Sequence, residues 1–262
     1  MRTRKNLRGA RALAVLALAG ALVGGCGDYL SGPELTTDPN NPTAAPIDQL
    51  FYSVQLRQFS WHEGDLARGA SMFVQQMAGT DRQAIARDLY DFSEGEFDYY
   101  FGRIYTGGGL IDLRKVETAA SERNDKLYLG IAQVWEAFLM GMAASVWGDI
   151  PYSEAVNPAI RTPKLDPQQD VYAAVQTLLD DAIVNLANPP APGPGDFDLV
   201  FGGDGAAWTE VAHTLKARFY MHWVEAQRAG GAAAQAAQVA CGGDCIQKAS
   251  AQAKLGISSP AH

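Results

Sequence analysis

The sequence predicts a mainly α-helical protein, with stacked pairs of helices, long irregular loops and little or no sheet. Apolar residues recur at spacings of three and four in several long segments, which is the period of one buried helical face. Three of these segments begin near residues 125, 167 and 206, and a spacing of about 40 residues is typical of stacked helical pairs. No window alternates strongly enough to predict a strand. The arrangement is similar to tetratricopeptide folds, although no tetratricopeptide consensus is present.

Composition and charge restrict the classes of protein to which this chain can belong. Of its 262 residues, 47% are hydrophobic, which is enough to build a sizeable core. Five basic residues and no acidic ones precede Cys26, so residues 26–262 carry 16 basic against 29 acidic side chains. A chain this acidic has no basic surface for nucleic acid, and anionic lipid would repel it. Attachment to a membrane therefore requires something other than a basic surface.

The amino terminus has the form of a bacterial lipoprotein signal. A basic segment extends to Arg11, an apolar stretch follows, and two glycines precede Cys26. The apolar stretch is too short to span a bilayer, since spanning needs about 20 residues. We expect residues 1–25 to be a signal peptide, Cys26 to be acylated, and residues 26–45 to be a lipidated tether rich in Pro, Asn and Gly. The alternative is an ordinary secretory signal with an incidental cysteine.

The helical body is predicted over residues 46–228, and its first part alternates short helices with aromatic and acidic loops. Helices are expected from Pro46 to about Phe59 and from about Asp65 to Met77, joined by a short aromatic turn at residues 59–64. Residues 79–99 then lose helical regularity and mix acidic with aromatic side chains. The glycine run at residues 107–109 should break a helix before apolar spacing resumes.

The helix from Leu127 to Trp147 is the segment around which the rest of the body is organised. Its apolar residues fall at helical spacing, and small residues beside that face allow a neighbouring helix to approach closely. Gly148 can adopt the left-handed conformation that ends a helix, and Pro151 cannot continue one. A core helix should therefore lead directly into a tight turn that carries two aromatic side chains and one carboxylate.

Two further helices follow, separated by a proline-rich loop. Asp166 is placed to cap the first of them, Pro167 suits its first turn, and Gln169 could complete a capping box. Residues 188–195 contain too many prolines for a helix or a central strand. Helical apolar spacing returns over residues 208–223.

Three motifs occur in a fixed order along the chain. The tether contains D-P-N-N-P-T at residues 38–43, and the central helix and its turn at residues 137–155 read A-F-L-x-G-x-A-A-S-x-W-G-D-I-P-Y-S-E-A. Residues 198–218 then contain D-L-V-F-G-G-D…W…L-K-A-R. Together these motifs resemble the SusD/RagB family of nutrient-binding outer-membrane lipoproteins. The resemblance implies long paired helices, a lipid anchor at Cys26, and a SusC-like TonB-dependent transporter as partner, on whose mouth the protein would sit like a lid.

The carboxyl-terminal end departs from the pattern of that family. Its members usually continue well beyond the third motif, whereas residues 229–262 of this chain are an Ala/Gly/Gln-rich tail. We therefore expect either a shortened member or a fragment that lacks the carboxyl-terminal half. The resemblance also implies that part of the ligand site lies in that half.

The best candidate ligand contacts are aromatic and acidic residues outside the regular helices. Flat rings cover the apolar C–H faces of sugars and peptides, and carboxylates fix hydroxyl groups. One candidate lies in the predicted aromatic turn, and the others lie within residues 88–100. The alternative for each ring is that it simply packs the core. The candidate set is Trp61, Tyr90, Glu94, Glu96, Tyr99 and Tyr100.

Signals for catalysis are weak. Glu94 with Glu96, or Asp196 with Asp198, could be imagined as a glycosidase pair, but acidic residues are common enough for chance pairing. No motif of a metalloprotease, serine hydrolase or phosphate-binding loop is present. Metal-ligand spacing is also missing among the histidines, which are His62, His213, His222 and His262.

Two other pairs of residues allow more than one interpretation, and no cofactor is predicted. Asp198 and Asp204 could hold calcium, but a turn leading into a helix explains them as well. Cys241 and Cys245 enclose Gly-Gly-Asp and could close a small disulfide outside the cytoplasm. Free thiols, or half of a metal site, are the alternatives for the cysteines.

These observations predict a nutrient-binding lipoprotein, without enzymatic activity, that is lipid-anchored at the outer membrane and exposed at the surface. It would capture an oligosaccharide or a peptide and pass it to the TonB-dependent transporter without covalent chemistry. Two hypotheses from other classes remain open. One is a helical scaffold lipoprotein that binds only protein partners, and the other is a glycoside hydrolase.

Overall fold

The computed structural model describes residues 45–187 and 192–259. The predicted signal peptide, the acylated Cys26, nearly all of the predicted tether and His262 lie outside these ranges. The chain divides into two units, Met1–Ala45 and Pro46–His262, and the description below concerns the second.

Most of the described chain is helical, which confirms the predicted mainly α fold. Between residues 45–187 and 192–259 there is no strand, and the isolated antiparallel bridge joins Ile150 to Asp166. Short turns of 3-10 helix occur at Glu94–Phe97 and Gly195–Phe197. In chain order the α-helices are α1 (Ile47–Phe59), α2 (Ala67–Phe73), α3 (Gln83–Asp88), α4 (Asp98–Tyr105), α5 (Leu110–Glu122), α6 (Lys126–Trp147), α7 (Gln168–Leu186), α8 (Gly205–Met221), α9 (Val224–Ala229), α10 (Gly231–Cys241) and α11 (Cys245–Ala253).

Helix α6 lies at the centre of the body and packs against α5, α7 and α8. Two glycines allow the closest approaches, as the sequence predicts. A Cβ atom at Gly130 would lie 2.8 Å from Leu186 Cγ, and one at Gly141 would overlap the ring of Phe219. By length and composition α6 could also cross a membrane, but 67% of its most apolar window is buried inside the body. Its apolar surface is therefore used by neighbouring helices.

Two carboxylates fix the turn that follows α6, and their roles differ from the prediction. The backbone N–H of Gln168 donates to Asp149 Oδ1 at 2.8 Å, so Asp149 satisfies the first turn of α7. Asp166 instead accepts bonds from the backbone N–H groups of Tyr152 and Ser153 and from the Ser153 hydroxyl. The predicted capping box is therefore wrong, because the turn folds back and brings the more distant carboxylate to the start of the helix.

The predicted aromatic turn at residues 59–64 is also wrong. Helix α1 continues without a break into a π-helical turn, Ser60–Leu66, which leads directly into α2. This wide turn directs Trp61 into the core, where the residue is 3% exposed and its indole N–H donates to the carbonyl of Tyr100. Burial of a large ring with its hydrogen bond outweighs the weak helix propensity of the serine and glycine in this stretch.

Helical structure extends past the predicted boundary at residue 228. Helix α10 packs against α7 and α9, and α11 packs against α8. Cys241 ends α10, Cys245 begins α11, and a disulfide joins the two. The alanine and glycine content that suggests a tail in the sequence instead allows short helices to pack closely, with Ala237 and Ala240 buried.

Candidate functional site

Six aromatic side chains form a continuous series of contacts between α2 and α4. Each ring contacts the next, with centroid separations between 5.1 and 6.3 Å. The series connects three of the sequence-predicted tyrosines through three phenylalanines that the prediction did not include. We call it the aromatic run, and in order of contact its rings are Tyr90, Phe73, Phe92, Phe97, Tyr100 and Tyr99.

The outer members of the aromatic run are open to solvent. Tyr90 is 53% exposed and Tyr99 is 58% exposed. The guanidinium carbon of Arg103 lies 4.2 Å from the centroid of the Tyr99 ring and covers one of its faces. The Tyr90 hydroxyl donates to the carbonyl of Phe73 at 2.6 Å, while the Tyr90 backbone has a φ of 57°. Because a tyrosine in this left-handed conformation is uncommon and costs free energy, we infer that the local contacts hold its ring in place.

The aromatic run borders an open hollow of about 540 Å³. Trp147 at the end of α6 contributes a further ring to this hollow, and Glu94 and Asp98 contribute carboxylates. Flat rings cover C–H faces and carboxylates accept hydrogen bonds from hydroxyl groups, so this lining suits a polyhydroxylated ligand. We call it the aromatic hollow, and its lining residues are Phe73, Phe92, Glu94, Phe97, Asp98, Phe101, Val146 and Trp147.

The structure separates the six sequence-predicted contact residues. Glu94 lines the aromatic hollow, and the three tyrosines belong to the aromatic run. Glu96 is half-buried and does not line the hollow. Trp61 requires a correction, because it is buried and stacks on Trp147 with ring centroids 5.9 Å apart and planes 16° apart. Its ring supports the wall of the hollow from inside and does not face a ligand.

Four residues of the site were missed by the sequence prediction. Phe92 and Phe97 alternate with the acidic residues of the 88–100 segment, so that composition was the signal that could have found them. Phe73 and Trp147 carried no such signal, because both fall at the ends of helices with core-like spacing. Only the tertiary fold brings these helix ends beside the 88–100 segment.

A second cavity, of about 320 Å³, adjoins the aromatic hollow. The two share Phe73, Phe97 and Val146 as lining residues. Its charged lining consists of Arg87 and Arg218, and none of its described lining residues carries a carboxylate. We call this cavity the arginine pocket.

His62 also lines the arginine pocket but carries no charge near neutral pH. Burial lowers its pKa to about 3, and the positive charge of Arg218 contributes to the shift. The His62 ring stacks on Phe138 with centroids 3.9 Å apart, and its Nε2 lies 2.9 Å from Gln58 Oε1. The positive charge of the pocket therefore comes from its arginines.

The carboxylates considered for calcium or glycosidase chemistry have structural roles instead. Asp198 is buried and accepts bonds from the backbone N–H groups of Val200 and Gly203. It also accepts a bond from the indole N–H of Trp208 at 2.7 Å. Asp204 caps α8. N–H donors thus point at both carboxylates, which opposes a cation there, and the described ranges contain no group of three or more metal-ligating side chains.

Two glutamates are buried together beneath the turn that follows α6. Glu117 shares a hydrogen bond with Glu136, and the Tyr152 hydroxyl donates to Glu136 Oε1 at 2.9 Å. Burial, followed by the charge of Glu136, raises the pKa of Glu117 well above its usual range, so Glu117 is protonated at neutral pH. Arg114 lies 3.7 Å from Glu136 and donates to the carbonyls of Tyr152 and Ala155. The cluster ties the turn to α5 and α6.

A comparison with protein families gives a match that spans most of this body. The family is described as starch-binding and associating with the outer membrane, and its model matches residues 39–260. The chain belongs to the SusD-like family. The match includes the aromatic run, the aromatic hollow and the arginine pocket. A comparison with curated proteins found no match.

Solved structures of SusD-like proteins have the same fold. A SusD/RagB family protein from Bacteroides thetaiotaomicron aligns with a TM-score of 0.70 and 24% identity over 82% of this chain and 44% of its own. A chitin-binding protein aligns with a TM-score of 0.62 and 22% identity over 81% of this chain and 43% of its own. A SusD homologue from Bacteroides fragilis aligns with a TM-score of 0.54 and 21% identity over 70% of this chain and 36% of its own. This chain thus spans less than half the length of these proteins, and identities this low establish the shared fold alone.

Proposed function

We propose that this SusD-like chain is a surface lipoprotein that binds an oligosaccharide and passes it, chemically unchanged, to a TonB-dependent outer-membrane transporter. The aromatic hollow is the observation that carries the proposal. The family description supports it, since it names starch binding and the outer membrane, and so does the likeness to a chitin-binding protein.

The chemistry of the aromatic hollow accounts for binding without reaction. The rings of Phe92 and Trp147 offer apolar faces to the C–H surface of a pyranose, and Glu94 and Asp98 accept hydrogen bonds from hydroxyl groups. Catalysis at a glycosidic bond would need one carboxyl group held protonated by its surroundings. The Glu94 side chain is exposed to solvent, which favours the ionised form and a binding role.

Isothermal titration against oligosaccharides derived from starch and chitin tests the proposal. Phe92→Ala and Tyr99→Ala should each weaken binding by about tenfold, or about 1.4 kcal/mol, because each removes a stacking face. Tyr52→Ala is the matched control, since Tyr52 is also an exposed tyrosine but lies on α1, outside the aromatic run. Its affinity should equal that of the wild type.

Each alternative function gives a different result in the same experiments. Heat on adding peptides and none on adding sugars would replace the oligosaccharide by a peptide ligand. Absence of heat with either, together with recovery of protein partners in a pull-down, would favour the scaffold hypothesis. Turnover of polysaccharide that is lost in Glu94→Gln would favour a glycoside hydrolase.

A further inference from the structure

We propose that the arginine pocket binds an anionic substituent of the ligand, so that the preferred oligosaccharide is acidic and carries carboxylate or sulfate groups. This inference rests on the proposed function, because it specifies the charge class of the same ligand. It concerns a different cavity from the aromatic hollow and different residues.

Arg87 is the first observation that points to an anion. The residue is 9% exposed, and one of its guanidinium nitrogens donates to the Tyr100 hydroxyl at 3.2 Å. The guanidinium carbon lies 6.0 and 5.7 Å from the ring centroids of Phe97 and Tyr100. Arg87 Nε is inaccessible and has no hydrogen-bond partner, and Arg87 forms no ion pair with a carboxylate in the part of the chain that the structure describes. A buried cation without a counter-charge is costly, and an anion in the adjoining cavity would remove that cost.

Arg218 supplies a second positive charge to the same pocket. It projects from α8, is exposed, and likewise forms no ion pair within the described ranges. The planar guanidinium group presents parallel N–H donors that match the oxygens of a carboxylate or a sulfate. Two such groups around one cavity are notable in a chain with an excess of acidic side chains, because elsewhere the basic residues have carboxylates nearby to pair with.

The relation between the two cavities gives the ligand a direction. They share Phe73 and Phe97, so a sugar ring in the aromatic hollow lies next to the arginine pocket. Glu94 and Asp98 in the aromatic hollow would repel an anionic group but accept bonds from neutral hydroxyls. The neutral part of the ligand should therefore occupy the aromatic hollow, with its charged substituent directed at the arginines.

A panel of oligosaccharides matched in backbone and length tests the inference by isothermal titration. Gluco-, galacto-, manno- and chito-oligomers are each compared as the neutral form, with the first three also tested as C6-oxidised uronates and all four as sulfated forms. We expect at least one acidic form to bind ten times more tightly or better than its neutral counterpart. Its affinity should fall by tenfold or more between low and high salt, while the affinity of the neutral form stays constant. The uronate and sulfate arms show which anionic group the pocket accepts.

Two variants and one control connect that preference to the pocket. Arg218→Gln should remove most of the preference for the acidic form while leaving neutral affinity unchanged, and Arg87→Gln should do the same. Arg87 is buried, so its variant is first checked by thermal unfolding; the Arg218 variant and the salt dependence do not depend on it. Arg228→Gln, at an exposed arginine on α9, should bind like the wild type.

The outcomes separate this inference from the proposed function. Equal binding of neutral and acidic oligomers, or a preference for the acidic form that survives Arg218→Gln, overturns the inference and leaves oligosaccharide binding intact. Failure of every oligomer to bind, in every form, overturns both.

Discussion

At the scale of single residues, the buried polar groups of this protein differ in how completely they are satisfied. Around the turn after α6, Arg114, Glu136 and Tyr152 are joined by direct contacts, so that buried charge is balanced within the chain. Around the arginine pocket, Arg87 keeps a buried nitrogen without a partner. Balanced clusters of the first kind hold a fold together, whereas an unbalanced charge beside a cavity is typical of a binding site.

Glu117→Gln should change how stability depends on pH. The folded-state pKa of Glu117 is raised by burial and by Glu136, so the folded protein keeps a proton that the unfolded chain releases above about pH 4.5. Wild-type stability should therefore fall as pH rises from that value towards the folded-state pKa. The variant has no proton to lose, and its amide can still donate to Glu136. In urea unfolding at pH 5 and pH 8, it should lose less stability than the wild type over this interval.

Glu122→Gln provides the control for that measurement, since Glu122 is on the same helix but exposed. Its pH dependence should match that of the wild type. If Glu117→Gln also follows the wild-type curve, the two buried carboxyl groups do not share a proton in the way described.

At the scale of helices, the sequence was most informative where apolar spacing is long and regular. The periods at residues 127–147 and 208–223 predicted the core helices α6 and α8. The sequence failed where a distant partner decides the local structure. The Ser60–Leu66 turn is helical because Trp61 finds a buried position, and Asp149 caps α7 because the intervening turn folds back. Neither contact is local, so neither leaves a periodic signal.

Gly141→Ala should destabilise the protein by about 1–3 kcal/mol, although alanine is the better helix former. A Cβ atom there would overlap the ring of Phe219, so α6 and α8 would have to move apart. Gly102→Ala on α4 is the matched control, because nothing lies within 4 Å of the Cβ atom it adds. That substitution should stabilise by about 0.5–1 kcal/mol. Equal effects in urea unfolding would show that the approach of α8 to α6 is not close.

The two carboxylates of the turn after α6 should differ in their contributions to stability. Asp166→Ala leaves two backbone N–H groups and a hydroxyl without their acceptor and should cost roughly 1–3 kcal/mol. Asp149→Ala removes one exposed bond at the start of α7 and should cost about 1 kcal/mol or less. The reverse order in chemical denaturation would restore the capping role that the sequence suggested for Asp166.

At the scale of the whole molecule, the candidate site is assembled from three separate parts of the chain. Composition predicted the 88–100 segment, including Glu94 and the tyrosines of the aromatic run. It did not predict that the end of α2 contributes Phe73 or that the end of α6 contributes Trp147, because joining these segments requires the packed body. The arginine pocket was missed for the same reason, since Arg87 and Arg218 are far apart in sequence.

Attachment of the whole molecule to the membrane is proposed to depend on Cys26. Cys26→Ala should move the protein from the membrane fraction to the soluble fraction and abolish incorporation of labelled fatty acid, since the acidic chain cannot adhere by charge. A variant in which Cys241 and Cys245 are both replaced by serine should remain in the membrane fraction. Membrane attachment that persists in Cys26→Ala would contradict a lipid anchor at this position.

A crystal structure of the protein with bound oligosaccharide would test the central claim most directly. The account predicts a pyranose ring in van der Waals contact with Phe92 or Trp147, with its hydroxyl groups hydrogen-bonded to Glu94 or Asp98. A sugar bound elsewhere on the helical body, with the aromatic hollow left open, would contradict it.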